Sequence, residues 1–143
     1  EMCDPGWHGS FGEIYPAGLY RCLMDYAPLG KPLYVTENGW ADAADTRRPR
    51  ALITHIAQMG RALQAGAPVR GYFHWTLVDN FEWAEGWGAR FGLIALDPET
   101  QERRLRPSAE VYAAIVRANG ITPEIVRRFA PEAEQAIFNV PAG

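Results

Sequence analysis

Two stretches decide how this chain folds: Tyr34-Val35-Thr36-Glu37-Asn38-Gly39, and Gly71-Tyr72-Phe73-His74-Trp75-Thr76-Leu77-Val78-Asp79-Asn80-Phe81-Glu82-Trp83. Each begins as a short apolar run of strand type, Leu33–Thr36 and Val69–Leu77, and each runs into a turn, the first at Asn38-Gly39. Between them the period changes. Leu52, Ile56, Met59 and Leu63 fall at i, i+4, i+7 and i+11, one stripe of an α-helix over Arg50–Gly66, with Pro68 just past its end. Strand, helix and buried-type strand in that order predict parallel pairing through a right-handed crossover. The fold class is therefore α/β. Two parallel strands cannot stand alone, because their faces and edges need neighbours. The sequence looks like a slice of something larger.

Outward from this unit the signals are simpler. Residues 1–12 read as a Gly-, Pro- and aromatic-rich loop, and Tyr15-Pro16 opens a helix-compatible stretch through Tyr26, broken at Pro28, Gly30 and Pro32. Residues 41–50 read as polar loop, with Arg47, Arg48 and Arg50 a solvated charge cluster, and 78–90 as an aromatic and acidic loop. Phe91–Leu96 and Glu102–Leu105 flank a turn around Asp97-Pro98-Glu99-Thr100, a hairpin. Pro107 opens a helix with Val111 and Ile115 inside, ended by Gly120. Thr122-Pro123-Glu124 has the chemistry of a helix start: N-cap, N1 proline and an acid beside the positive end of the dipole. The tail from Pro131 reads as short helix or irregular chain.

Composition excludes several functions. The 143 residues are 48% hydrophobic and 22% charged with a net charge of −3, ordinary globular values with no basic footprint for nucleic acid. His8, His55 and His74 are too scattered for a metal set, so no metal or other cofactor is expected. Cys3 and Cys22 make no redox pair or disulfide framework. No apolar run approaches the roughly 20 residues of a membrane span, and the first residues lack a signal-peptide pattern. A cytoplasmic setting is the expectation. Five tryptophans, Trp7, Trp40, Trp75, Trp83 and Trp87, are many for this length, and most flank strand ends and Gly-rich turns. Indole faces suit the C–H faces of sugar rings, and core packing suits them equally.

The chemistry sits at the strand ends. Glu37 closes the first strand, where a carboxylate can attack an anomeric carbon or simply enter a turn. The second strand leads to Trp75, Asn80, Glu82 and Trp83, a carboxylate between aromatics. That combination reads sugar hydroxyls or builds a structural loop.

Both segments, in this order and separation, resemble glycoside hydrolase family 1, the β-glucosidase family. Thr36-Glu37-Asn38-Gly39 is similar to its nucleophile signature on the seventh barrel strand, and Gly71–Trp83 to its eighth strand and glycone-binding loop. Glu13-Ile14-Tyr15-Pro16-Ala17-Gly18-Leu19 and Arg90-Phe91-Gly92-Leu93 resemble the family's flanking stretches, so the likeness covers roughly residues 10–115. It implies a partial (β/α)8 TIM barrel: the last two strand–helix units, a β-hairpin and C-terminal helices, with residues 1–120 belonging to the barrel and 121–143 a helical extension. A whole barrel takes about 250 residues.

The same resemblance implies roles. Glu37 is the nucleophile, Trp75 the platform under the sugar, Glu82 the acceptor for two hydroxyls at the far end of the glycone, and Trp83 an indole N–H donor. Tyr34 is barrel packing, and Glu85 is a solvated loop acid. A carboxylate at position 82 repels phosphate, which favours unphosphorylated β-glycosides. The family's acid/base lies in an Asn-Glu-Pro motif on its fourth strand, and no Asn-Glu-Pro occurs in this sequence. Losing such an acid costs about 10²–10⁴-fold in rate. The expected function is a retaining β-glycosidase fragment, inactive or nearly so alone, that needs the amino-terminal barrel portion. The alternative is a catalytically inactive remnant that binds sugar or self-associates. A dedicated binding module of another fold is the weakest reading.

Overall fold

The structure, a computed structural model, describes residues 13–138. Cys3, Trp7, His8 and the loop expected over 1–12 lie outside the described residues. The described chain is a small α/β piece: α1 (Pro16–Tyr26), β1 (Leu33–Asn38), α2 (Arg48–Gln64), β2 (Val69–His74), β3 (Ile94–Leu96), β4 (Arg103–Leu105), α3 (Pro107–Ala118), α4 (Pro123–Phe129) and α5 (Glu134–Phe138). Single 3-10 turns occupy Ala27–Leu29, Trp83–Glu85 and Pro131–Ala133. Pro16, Pro49, Pro107 and Pro123 each sit in the first turn of a helix, where the missing N–H costs no bond.

β1 and β2 pair in parallel, with Tyr34 opposite Gly71 and Asn38 opposite His74. Side chains alternate across the pair, except at a register shift between Leu33 and Tyr34 that breaks the alternation between Val69 and Gly71. Val35 and Val69 turn toward α1 and α2 and bury with Leu23 and Ala62. Tyr34 and Phe73 turn the other way and remain 57% and 58% exposed. Gly71 makes room for Tyr34, since a Cβ there would lie 2.9 Å from the tyrosine ring. One face of the pair is therefore covered by helices and the other lies open, with aromatic side chains on it. A second buried cluster joins Leu52, Ile53 and Ile56 of α2 to Val111 and Ile115 of α3 and to Ile125 and Val126 of α4. The antiparallel β3–β4 hairpin forms as the turn residues Asp97–Thr100 require. The Asp97 carboxylate accepts from the N–H groups of Glu99 and Thr100, both at 2.9 Å.

Several expectations need correcting. The stretch 41–50 is not a solvated loop, and Arg48 is not a surface charge. Arg48 is fully buried in the first turn of α2, ion-paired with Asp45 and donating to the carbonyls of Asp42 and Arg90 at 2.7 Å. Asp42 accepts from the N–H groups of Arg47 and Arg48 at 2.9 Å each, filling the orphan donors of the helix start. Asp45 reaches Ser108 N–H at 2.7 Å. These charges are buried because they satisfy one another and two helix ends. Leu63 leaves the predicted stripe at 43% exposed, while His55 and Ala62 enter the core. α3 ends through Asn119 in the left-handed region rather than through Gly120. Trp40 is a core residue, 3% exposed, with its ring 4.5 Å from that of His55.

Candidate active site

Parallel pairing carries the carboxyl ends of β1 and β2 to the same edge, and there the chain binds itself closely. Asn38 C=O accepts from Trp75 N–H at 3.0 Å. The Asn38 side-chain oxygen accepts from the Tyr72 hydroxyl at 2.9 Å. Gly39 passes so near that a Cβ would lie 1.6 Å from the Trp75 carbonyl oxygen. Glycine is needed there for close approach rather than for an unusual φ. Glu37 stands at this edge with its side chain exposed.

Beyond Trp75, which joins Thr76 through a cis peptide, the chain runs along the segment before the hairpin. Leu93 N–H donates to Thr76 at 3.0 Å and Asp79 N–H to Ile94 at 3.0 Å. Asp79 is the anchor. It is buried, takes two bonds from the Arg106 guanidinium at 2.9 and 3.0 Å, and accepts from Gly92 N–H at 2.8 Å. Burial alone raises a carboxyl pKa, but the Arg106 bonds and the backbone donors outweigh it and hold Asp79 below the usual carboxylate range. On this fixed base the loop turns, with Glu82 N–H donating to Gly86 at 2.7 Å and Trp83 in a left-handed conformation at φ 49°. Asn80 donates its amide to the Glu82 carboxylate at 2.7 Å.

The four residues expected to act on sugar come together. Glu37, Trp75, Glu82 and Trp83 all line one open cleft of ≈ 780 Å³. Trp83 is 85% exposed, so one wall of the cleft is a free indole face. Trp87 does not line it. Its ring packs edge-on against Phe81 at 5.8 Å. Glu85 lies exposed in the 3-10 turn.

The cleft also takes Glu13, Tyr15 and His55, to which sequence reasoning gave no role there. For Tyr15 the signal was present, an aromatic directly before the proline that opens α1. For His55 the helical position marked only a buried face. Burial lowers the His55 pKa to about 4, against the carbonyls of Ala51 and Tyr15 beside the ring, so near neutral pH it is an uncharged wall. Among the described residues no group of His, Cys, Asp and Glu is placed to hold a metal ion, and no helix is long and apolar enough to cross a membrane.

The model of glycosyl hydrolase family 1 matches residues 5–121. A β-galactosidase of Sulfolobus acidocaldarius is 50% identical over 123 residues, covering 85% of this chain and 24% of that protein. A 1,4-beta-D-glucan glucohydrolase of Thermotoga neapolitana is 40% identical over 130 residues, covering 82% of this chain and 28% of its own length. The crystal structure of a hyperthermophilic β-glucosidase from Pyrococcus furiosus superposes with a TM-score of 0.80 at 43% identity, over 86% of this chain and 26% of that one. The chain thus spans about a quarter of the length of these relatives. Since the family model takes in both strand ends and the cleft residues between them, the chain belongs to glycosyl hydrolase family 1.

Proposed function

We propose that this chain supplies the nucleophile and the glycone-binding side of a retaining β-glycosidase that hydrolyses unphosphorylated β-D-glycosides. The observation that carries the reading is the shared cleft: Glu37, Trp75, Glu82 and Trp83 on one edge of a parallel strand pair. Glu37 attacks the anomeric carbon as the bond to the leaving oxygen breaks, giving a glycosyl ester. Water then opens that ester, and the sugar leaves with its β configuration retained. Trp75 and Trp83 offer apolar faces to the ring. Glu82 accepts from hydroxyls at the far end of the glycone, and its charge disfavours a phosphate there.

The proton for the leaving group comes, on this reading, from an acid outside the chain. The sequence holds no Asn-Glu-Pro, and the open cleft does not exclude the water that a reacting carboxylate must shed. We take residues 1–120 as the last two strand–helix units of a (β/α)8 barrel and 121–143 as a helical extension. The parallel pair, its open aromatic face and a family match that stops at residue 121 support this division. The same open face favours the second reading, a non-catalytic piece that self-associates. An exposed free thiol at Cys22 is compatible with a reducing, cytoplasmic setting.

The test joins the full chain to the part of the Sulfolobus acidocaldarius β-galactosidase that lies outside its match, in place of the matched segment. The joined protein is expected to hydrolyse a chromogenic β-glucoside, and the isolated chain is not. Glu37→Ala lowers the joined enzyme's kcat at least about 10³-fold. Turnover by the isolated chain that Glu37→Ala abolishes would contradict the external acid, and an inactive joined protein would refute the enzymatic reading.

A further inference from the structure

Among the described residues Glu82 is held by one side chain, Asn80, and that side chain has little else to do. A carboxylate only accepts hydrogen bonds, so the amide of Asn80 must turn its nitrogen toward Glu82, as it does at 2.7 Å. The amide oxygen is then buried with no partner among the described residues. An unpaired buried acceptor costs stability, so as a structural device Asn80 is a poor one. Its neighbour Asp79 is the best-anchored residue of the loop, tied to Arg106, Gly92 and Leu96. Asn80 therefore stands between a rigid base and a carboxylate whose direction decides which hydroxyls it meets.

We infer that Asn80 is a positioning residue that orients the Glu82 carboxylate and so helps set which sugar hydroxyls the cleft reads. The inference rests on the proposed role of Glu82. One carboxylate oxygen is occupied by the amide N–H. The other, with the remaining lone pairs, is aimed at the hydroxyls of the far end of the glycone. Without Asn80 the carboxylate rotates freely and pairs with water, and the loss falls on substrates that carry those hydroxyls.

The experiment uses the joined enzyme and two aryl glycosides, a β-D-galactoside and its 6-deoxy counterpart, the β-D-fucoside. The quantity read is the ratio of their kcat/KM values. Glu82→Gln is expected to shift this ratio about tenfold, as the loss of a charged hydrogen bond implies. Asn80→Leu, of similar size, shifts it in the same direction by about threefold or more, and adding it to Glu82→Gln changes the ratio little further. Asn80→Asp, which places a second carboxylate beside Glu82, also shifts it, which covers the case of a misfolded leucine variant. A purely structural Asn80 would lower both substrates equally and leave the ratio fixed. That result, with the ratio still responsive to Glu82→Gln, would overturn the role of Asn80 alone. If neither substitution moves the ratio, or the parent joined enzyme is inactive, the reading of Glu82 falls and this inference with it.

Discussion

At Gly39 and Asp79 the cleft depends on single residues. A methyl group at Gly39 would strike the Trp75 carbonyl oxygen, 1.6 Å from the ideal Cβ position, and that obstacle is backbone. Gly39→Ala is expected to destabilise the chain by about 1–3 kcal/mol, as overpacking does, read as a lower urea midpoint; an unchanged midpoint would refute the close approach. Asp79→Asn removes a buried charge that faces Arg106 and leaves the guanidinium uncompensated. A loss of about 3 kcal/mol is expected, and a cost below about 1 kcal/mol would mean that the loop is anchored elsewhere. Both residues stood in plain view in the sequence. Asn38-Gly39 carried a turn signal, but its reason, a backbone contact with a strand more than thirty residues away, is not local. Asp79 looked like one more acid in an acidic loop, since its partners come from the hairpin and from Arg106.

The secondary-structure elements followed their local signals where those signals were local in origin. α2 and α3 were legible from the spacing of Leu52, Ile56, Val111 and Ile115. α4 was legible from Thr122, whose hydroxyl oxygen accepts from Ile125 N–H at 3.3 Å. Thr122→Ala is expected to cost about 1 kcal/mol, seen as a lower thermal midpoint with the same far-ultraviolet spectrum; no change would show that packing alone holds α4. The start of α2 was misread for the opposite reason. Arg47, Arg48 and Arg50 have the composition of a solvated cluster. Arg48 is drawn inside because the Arg90 carbonyl, 42 residues further along the chain, meets it there beside Asp42 and Asp45 of its own segment, a convergence that composition does not show.

Among the described residues two histidines tie stability to pH: His55, which is buried, and His74, which is half-buried with both ring nitrogens shut off from solvent. Burial lowers His74 to about 4, and the Arg48 charge pushes the same way, against the carbonyls of Phe91 and Asn38 that face the ring without closing a regular hydrogen bond. His55 is lowered to a similar value. Unfolded histidines bind protons at about 6.5, so below that pH the unfolded chain takes up protons that the fold refuses. Stability therefore falls as pH drops from about 6.5 toward 4, by on the order of 3 kcal/mol for each histidine. Asp79, also held below its unfolded value, adds to the loss at still lower pH. Urea midpoints that stay level between pH 7 and 4.5 would contradict this account, and His74→Phe is expected to flatten the slope.

The open face of the strand pair, with Tyr34 and Phe73 exposed upon it, was foreseeable from two buried-type strands that lacked neighbours. The cleft's third carboxylate, Glu13, was not, because nothing in its flanking sequence marks where the residues just ahead of α1 will lie. On the proposed reading, turnover rests on the attack of Glu37 on a sugar that Glu82 holds. The most direct measurement of that attack is to treat the joined enzyme with a 2-deoxy-2-fluoro-β-glucoside bearing a good leaving group, which slows opening of the glycosyl ester, and to locate the trapped sugar by peptide mass. The sugar is expected on Glu37; a stoichiometric label on Glu13, Glu82 or Glu85 instead would refute Glu37 as the nucleophile.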